Sequence, residues 1–167
     1  MAIKGRKKVP SDLIIELTSN LNGGMSFTDK HTKTNAYISF RGIDDTDSCS
    51  YLELKTMLKQ SPKLLEKAYI VITDVSSFED TTFKVEDLIY NLNLEVLYNG
   101  SVNPREIGKF LVETKYNTFI DRISRCNSEL IEVIIERAVY MYKQGQFNDA
   151  TKMNYLQTLS PNIKMFK

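Results

Sequence analysis

The chain is poor in the residues that most often carry chemistry. Its 167 residues include two cysteines, one histidine and no tryptophan. Cys49, Cys126 and His31 are too few to complete a four-coordinate structural zinc site. The cysteines stand far apart and form no C-x-x-C pair, which argues against a disulfide framework. One bridge is arithmetically open, but reduced thiols in a cytosolic setting are the better reading. His31 sits in Thr28-Asp29-Lys30-His31-Thr32-Lys33-Thr34, a polar stretch with no apolar wall to shift its pKa. It reads as a solvated loop histidine and not as the base of a nucleophilic site. The glycines (Gly5, Gly23, Gly24, Gly42, Gly100, Gly108 and Gly145) match neither G-x-G-x-x-G nor G-x-x-x-x-G-K-[ST]. A phosphate-cradling loop of known type is therefore excluded.

An excess of one charge is lacking as well. Twenty-two Lys and Arg face 21 Asp and Glu, a net charge of +1. That excludes a wholly basic nucleic-acid binder and a wholly acidic DNA mimic, while leaving local patches open. Mean hydropathy is -0.29, and no apolar run approaches the roughly 20 residues that span a bilayer. No membrane partner is expected, and no signal peptide follows the basic N-terminus.

What is present suggests a segregated α+β layout: a small antiparallel sheet in the N-terminal half and a C-terminal helical, bundle-like half. Residues 1–10 hold Lys4, Arg6, Lys7 and Lys8 with no acid and read as a flexible basic arm ending at Pro10. Residues 11–100 form the β-rich α+β part and residues 101–167 the helical part, the two together being expected as one compact domain. Asp12–Leu17 reads as a strand, and Asn20-Leu21-Asn22-Gly23-Gly24 as a reversal. Met25–Phe27 and Asn35–Phe40 alternate as strands do, with Ala36, Ile38 and Phe40 on one face. Ser50–Leu58 has helical spacing and stops at Ser61-Pro62. Ala68–Asp74 is the clearest strand, nearly unbroken and expected to be buried on both faces.

Beyond it the pattern turns helical. Val85–Leu92 and Asn117–Arg125 are short helix candidates. Asn103-Pro104-Arg105-Glu106 carries a cap, a proline at the first helical position and a glutamate placed to close a capping box. The longest helix is expected from Asn127 or Ser128 to Gln144, with Leu130, Ile131, Ile134, Ile135, Ala138 and Met141 as its apolar stripe. Gly145 suits its stop, and Asn148-Asp149 caps a last helix through Leu156.

Three segments are candidate sites. In Gly42-Ile43-Asp44-Asp45-Thr46-Asp47-Ser48, three carboxylates could hold Mg²⁺ through oxygen ligands. The same seven residues resemble the N-terminal nucleotide-binding motif of archaeal tRNA-modifying agmatinyl-cytidine synthases. Here, though, the string neither opens the chain nor follows a hydrophobic start strand. An EF-hand fails, because the sixth and twelfth positions from Asp44 are Cys49 and Lys55. A solvated acidic loop, favouring the helix that follows, is the plainer reading. The basic arm is a tag of solvated charge, a contact for nucleic acid, or a thread into a neighbouring protein. It lacks interleaved aromatics for base stacking. Ile163, Met165 and Phe166 in the tail dock either on the chain's own core or on a partner. The aromatics Tyr140, Tyr142, Phe147 and Tyr155 are expected to serve the core.

Scattered along most of the chain are pieces that resemble small uncharacterised proteins of tailed bacteriophages, encoded among virion genes. They are Lys8-Val9-Pro10, Gly24-Met25-Ser26-Phe27 with Thr34-Asn35-Ala36-Tyr37, and Phe40 and Gly42 with acids after them. Glu53-Leu54-Lys55-Thr56-Met57, Ser61-Pro62-Lys63-Leu64-Leu65-Glu66 and the strand ending at Asp74 follow. Near the C-terminus come Glu136-Arg137-Ala138, Gly145 and Phe147. Leu92-Asn93-Leu94 stands where the pattern has Leu-Gly-Leu. The resemblance implies a non-enzymatic virion structural protein of the capsid, neck or tail, made in the host cytoplasm. It would bind other virion proteins and copies of itself, with packaged DNA a further contact open to the basic arm, and with no cofactor. The alternative is a small phage regulator that binds and inhibits a host replication or transcription protein. A Mg²⁺-dependent enzyme using Asp44, Asp45 and Asp47 is the remaining rival.

Overall fold

Alternating burial makes Ile14–Ser19 the central strand, β1, with Ile15 and Leu17 fully buried. In the computed structural model, which describes residues 6–30, 34–76, 83–161 and 165–166, two further strands flank it. β4 (Thr46–Ser50) and β5 (Ile70–Ser76) pair with β1 from opposite sides, both antiparallel. A separate antiparallel hairpin joins β2 (Met25–Thr28) to β3 (Tyr37–Phe40), its face formed by Phe27, Ile38 and Phe40. Gly23 opens the turn before β2 at φ +137°, a conformation that only glycine adopts cheaply.

The helices are α1 (Tyr51–Gln60), α2 (Lys63–Glu66), α3 (Val85–Asn91), α4 (Glu95–Tyr98), α5 (Ile107–Glu113), α6 (Tyr116–Ile123), α7 (Ser128–Lys143) and α8 (Ala150–Leu159). A 3-10 turn, Pro104–Glu106, precedes α5. Side-chain caps explain several starts. Ser50 and Glu53 close a capping box on α1, Asn127 accepts from Leu130 N at 2.8 Å on α7, and Asp149 accepts from Thr151 N and Lys152 N on α8. Gly145, at φ +72°, ends α7 while Gln146 N donates back to Met141 O. One hydrophobic core runs from Ile15 and Leu17 through Leu88, Tyr98 and Val102 to Leu111, Phe119 and Ile134. The architecture is α+β, with small antiparallel sheets in the N-terminal part and helices in the C-terminal half.

Several local expectations shift. The first strand starts at Ile14, and Asp12 stays exposed in the turn before it. The acidic stretch after Gly42 is not wholly a loop: from Thr46 it becomes β4, because β1 offers an unpaired edge that the chain can fill. α2 and α4, each four residues long, were not expected. Asn103 accepts from Arg105 N at 3.0 Å, two residues on, so the chain opens with a 3-10 turn in place of the expected boxed α-helix. On α7 the buried set is Leu130, Val133, Ile134, Ala138 and Met141, which leaves Ile131 and Ile135 on a half-buried shoulder.

β5 is buried at Ile70, Val71 and Ile72, but Asp74 is exposed and the strand lies at the sheet edge. Its pairing with β1 slips at Thr73, where Glu16 faces Asp74 and Leu17 faces Ile72; the extra residue is a β-bulge. Asn93 takes φ +58°, the left-handed region that asparagine tolerates better than most residues other than glycine.

Candidate functional site

The three aspartates of the acidic segment face three different tasks. Asp44, itself at φ +65°, lies with Oδ1 2.6 Å from Arg137 Nη1 on α7. Asp45 accepts from Arg41 N at 2.7 Å and from Thr46 N at 3.1 Å. Asp47 accepts from Ser39 N at 2.9 Å and from Ser48 N at 2.8 Å, tying β3 to β4. Their carboxylates diverge into backbone and side-chain contacts. No group of three His, Cys, Asp or Glu residues able to hold a metal occurs among the described residues.

From Arg6 onward, the segment expected to be a mobile arm is seated as a strap on α3. Lys7 Nζ is 2.8 Å from Asp87 Oδ2, a carboxylate whose side chain is 10% exposed. The Arg6 guanidinium lies over the Tyr90 ring, 5.7 Å from its centroid, and donates to Asn93 Oδ1. Lys7 Nζ is also 5.7 Å from the Phe83 ring centroid, and Asn91 Nδ2 donates to Lys7 O at 3.2 Å. Val9 packs on the core, and Lys8 remains exposed. The Asp87 carboxylate also accepts from Lys84 N at 3.1 Å at the start of α3, and a cation beside so nearly buried a charge offsets part of its desolvation. A pocket of about 200 Å³ lies beside the strap, lined by Lys7, Glu86, Asp87, Tyr90, Glu95 and Tyr98, among others. Lys4, His31 and Ile163 lie outside the described residues.

The tail returns to the protein's own helices. Met165 is buried, and the Phe166 ring meets Tyr142 edge-on at 5.6 Å and Phe147 at 6.5 Å. Met165 N donates to Gln157 Oε1 at 3.0 Å. Of the two docking alternatives for the tail, these two side chains take the internal one.

Beside that tail, one face of α7 lines an open groove of about 700 Å³, bounded by the end of α8 at Leu159 and by Asn22, Ser160 and Met165. The α7 shoulder residues Ile131, Ile135 and Val139 form its apolar floor, one helical turn apart, while Leu159 and Met165 flank them. Leu159 is 39% exposed. Glu132, Glu136 and Lys143 supply the polar rim, and Glu136 Oε2 accepts from Asn22 N at 3.2 Å. Half-exposed apolar side chains collected in a groove, rimmed by charge, are the features of a protein-binding surface.

The thiols are poor nucleophiles. Burial pushes the Cys49 thiol up to about 12, and Glu53 and Asp47 add to the effect. Burial also raises Cys126, against the pull of its Ser101 contact and of Arg122.

The strap seat (Asp87, Tyr90, Asn91 and Asn93) and the α7 shoulder are the candidate functional residues that the sequence did not announce. Asp87 lies 80 positions from Lys7, and no local pattern links the two. The shoulder was visible only as surplus isoleucine on an amphipathic helix. No protein-family model, no curated protein and no solved structure matches this chain.

Proposed function

We propose that this protein is a non-enzymatic structural component of a tailed-bacteriophage virion, in the capsid, neck or tail, and that it acts by protein–protein assembly. The observation that carries this reading is the α7–α8 groove, where Ile131, Ile135 and Val139 remain half-buried beside Leu159. Such a surface fits the apolar face of an amphipathic helix from a neighbouring structural protein, with a cation opposite Glu132 and Glu136. The scattered resemblance to proteins encoded among phage virion genes supports the same reading. The engagement of Asp44, Asp45 and Asp47 in structural contacts favours assembly over metal chemistry.

Mass spectrometry of purified virions tests the proposal. Peptides of this chain are expected in the particle at a constant ratio to the major structural proteins. Their absence overturns it. A chain missing from particles but captured with one host replication or transcription protein at fixed stoichiometry would instead be a regulator.

A further inference from the structure

The seat on α3 recognises a short basic segment by side-chain contacts that do not depend on how that segment is connected. It offers a carboxylate to Lys7, an aromatic face to each of Arg6 and Lys7, an amide donor to Lys7 O and an amide oxygen to Arg6. These contacts reach across 76 to 87 positions of sequence. The covalent link is slight by comparison. Pro10, Ser11 and Asp12 are all exposed. The chain joins the body where Ser11 O accepts from Leu52 N at 2.9 Å, and Leu13 N donates to Pro10 O at 3.4 Å. A turn at Pro10 and Ser11 therefore redirects residues 6–9 as a unit without touching the pairing of β1.

We propose that the strap is exchangeable, so that residues 6–9 of one copy occupy the α3 seat of a second copy and the reverse, giving a reciprocal strap-swapped pair. This rests on the reading that the chain assembles, and it names one occupant and one contact for that assembly. Exchange replaces every strap contact by its identical counterpart, so its balance is set by protein concentration and by strain at the link. The seat also selects the class of occupant. With the strap's own Lys7 set aside, the pocket holds Glu86, Asp87 and Glu95 against the single cation Arg105, which is paired to Glu86, so it attracts a cationic peptide and repels phosphate. A second copy therefore fits the seat, and a nucleic acid does not.

Charge reversal tests the exchange. In Lys7→Glu the strap repels its own seat; in Asp87→Lys the seat repels its own strap. Mixed in equal amounts, the two variants restore an opposite-charge contact at both seats, but only if straps cross between copies. Native mass spectrometry should then show the mixed pair exceeding like pairs by at least about tenfold. Mixed folded variants that show no preference for the mixed pair overturn the exchange. If Asp87→Lys alone does not fold, Lys7→Cys chains are instead mixed with Asp87→Cys chains under an added thiol oxidant. A disulfide joining positions 7 and 87 of different chains is expected in excess over a Lys8→Cys control, and no excess among folded chains overturns the proposal. Chains that associate without either interchain signal would remove the exchange and leave the assembly reading standing. Absence of the chain from virions would remove that reading on separate grounds.

Discussion

Tyr98 Oη accepts the backbone N–H of Ile72 across 2.8 Å, inside the protein and on the unpaired side of β5. One side chain from α4 thereby satisfies a donor that would otherwise be buried without a partner at a sheet edge. Tyr98→Phe keeps the ring and removes the acceptor. The expected cost is about 1–3 kcal/mol, read as a lower urea midpoint together with faster amide exchange at Ile72. Unchanged exchange there would show that the hydroxyl is not the acceptor.

Alkaline pH should destabilise the fold in two steps. Burial raises the Cys49 thiol from 9.0 to about 12 and the Tyr98 phenol from 10.0 to about 12. At Tyr98, the Ile72 N–H and Arg105 pull the other way. Both folded-state values lie above the unfolded ones, so the neutral groups contribute stability that is complete below about pH 9 and is lost as pH rises toward 12. Cys49→Ala should remove the part of the decline that begins near 9, and Tyr98→Phe the part that begins near 10. Urea midpoints measured from pH 8 upward check the order, relative to the wild type.

Lys152 is only 3% exposed and caps the end of α5. Its ammonium donates to Leu111 O at 2.7 Å and to Val112 O at 3.4 Å, with Asp149 Oδ2 at 3.6 Å and the Phe119 ring centroid at 5.5 Å. Lys152→Met should preserve most of the stem's packing but leave two carbonyls unmet, costing about 2–3 kcal/mol. Lys152→Ala should cost more, because it also opens a cavity. Equal losses from the two substitutions, measured by chemical denaturation, would mean that the stem contributes nothing.

Millimolar Mg²⁺ should leave the melting temperature unchanged, since Asp44, Asp45 and Asp47 point to separate partners. A ligand that binds only the native state must raise the melting point. A rise that disappears in Asp47→Asn would reinstate a metal site at this segment.

On the α7 shoulder, Ile135→Glu introduces a charge on the groove floor between Ile131 and Val139. Ile135 is half-buried and packs against the core, so stability should fall by about 1–3 kcal/mol, and folding of the variant is checked by circular dichroism first. Incorporation into particles should fall sharply. Normal incorporation of a folded Ile135→Glu chain would show that the groove is not the assembly surface.

Much of the fold was legible where the signal is local. The Asn20–Gly24 reversal, the Asn127 and Asp149 caps and the Gly145 stop each depend on residues within about one turn of one another. The alternation of Ala36, Ile38 and Phe40 likewise marked a buried face. β4 was hidden because Thr46-Asp47-Ser48 has no strand-like composition, and its extended form comes from pairing with β1 more than 25 positions earlier. The capping box expected at Glu106 yielded to a 3-10 turn. The Asn20 side chain meanwhile bridges Ala68 O and Pro104 O at that junction.

The candidate surfaces were less legible than the fold. Positive charge before Pro10 was plain, but its neutralisation by Asp87 was not. The tail's apolar residues were evident, yet only the rings of Tyr142 and Phe147 show where Phe166 rests.

By itself the order of residues determined the segregated α+β layout, the main turns and the ends of the long helices, because periodicity and capping act between near neighbours. Tertiary structure alone decided which edge needs Tyr98, which carboxylate holds the strap and which isoleucines stay half-exposed. Those outcomes depend on donors, charges and surfaces that meet only after segments distant in sequence have come together.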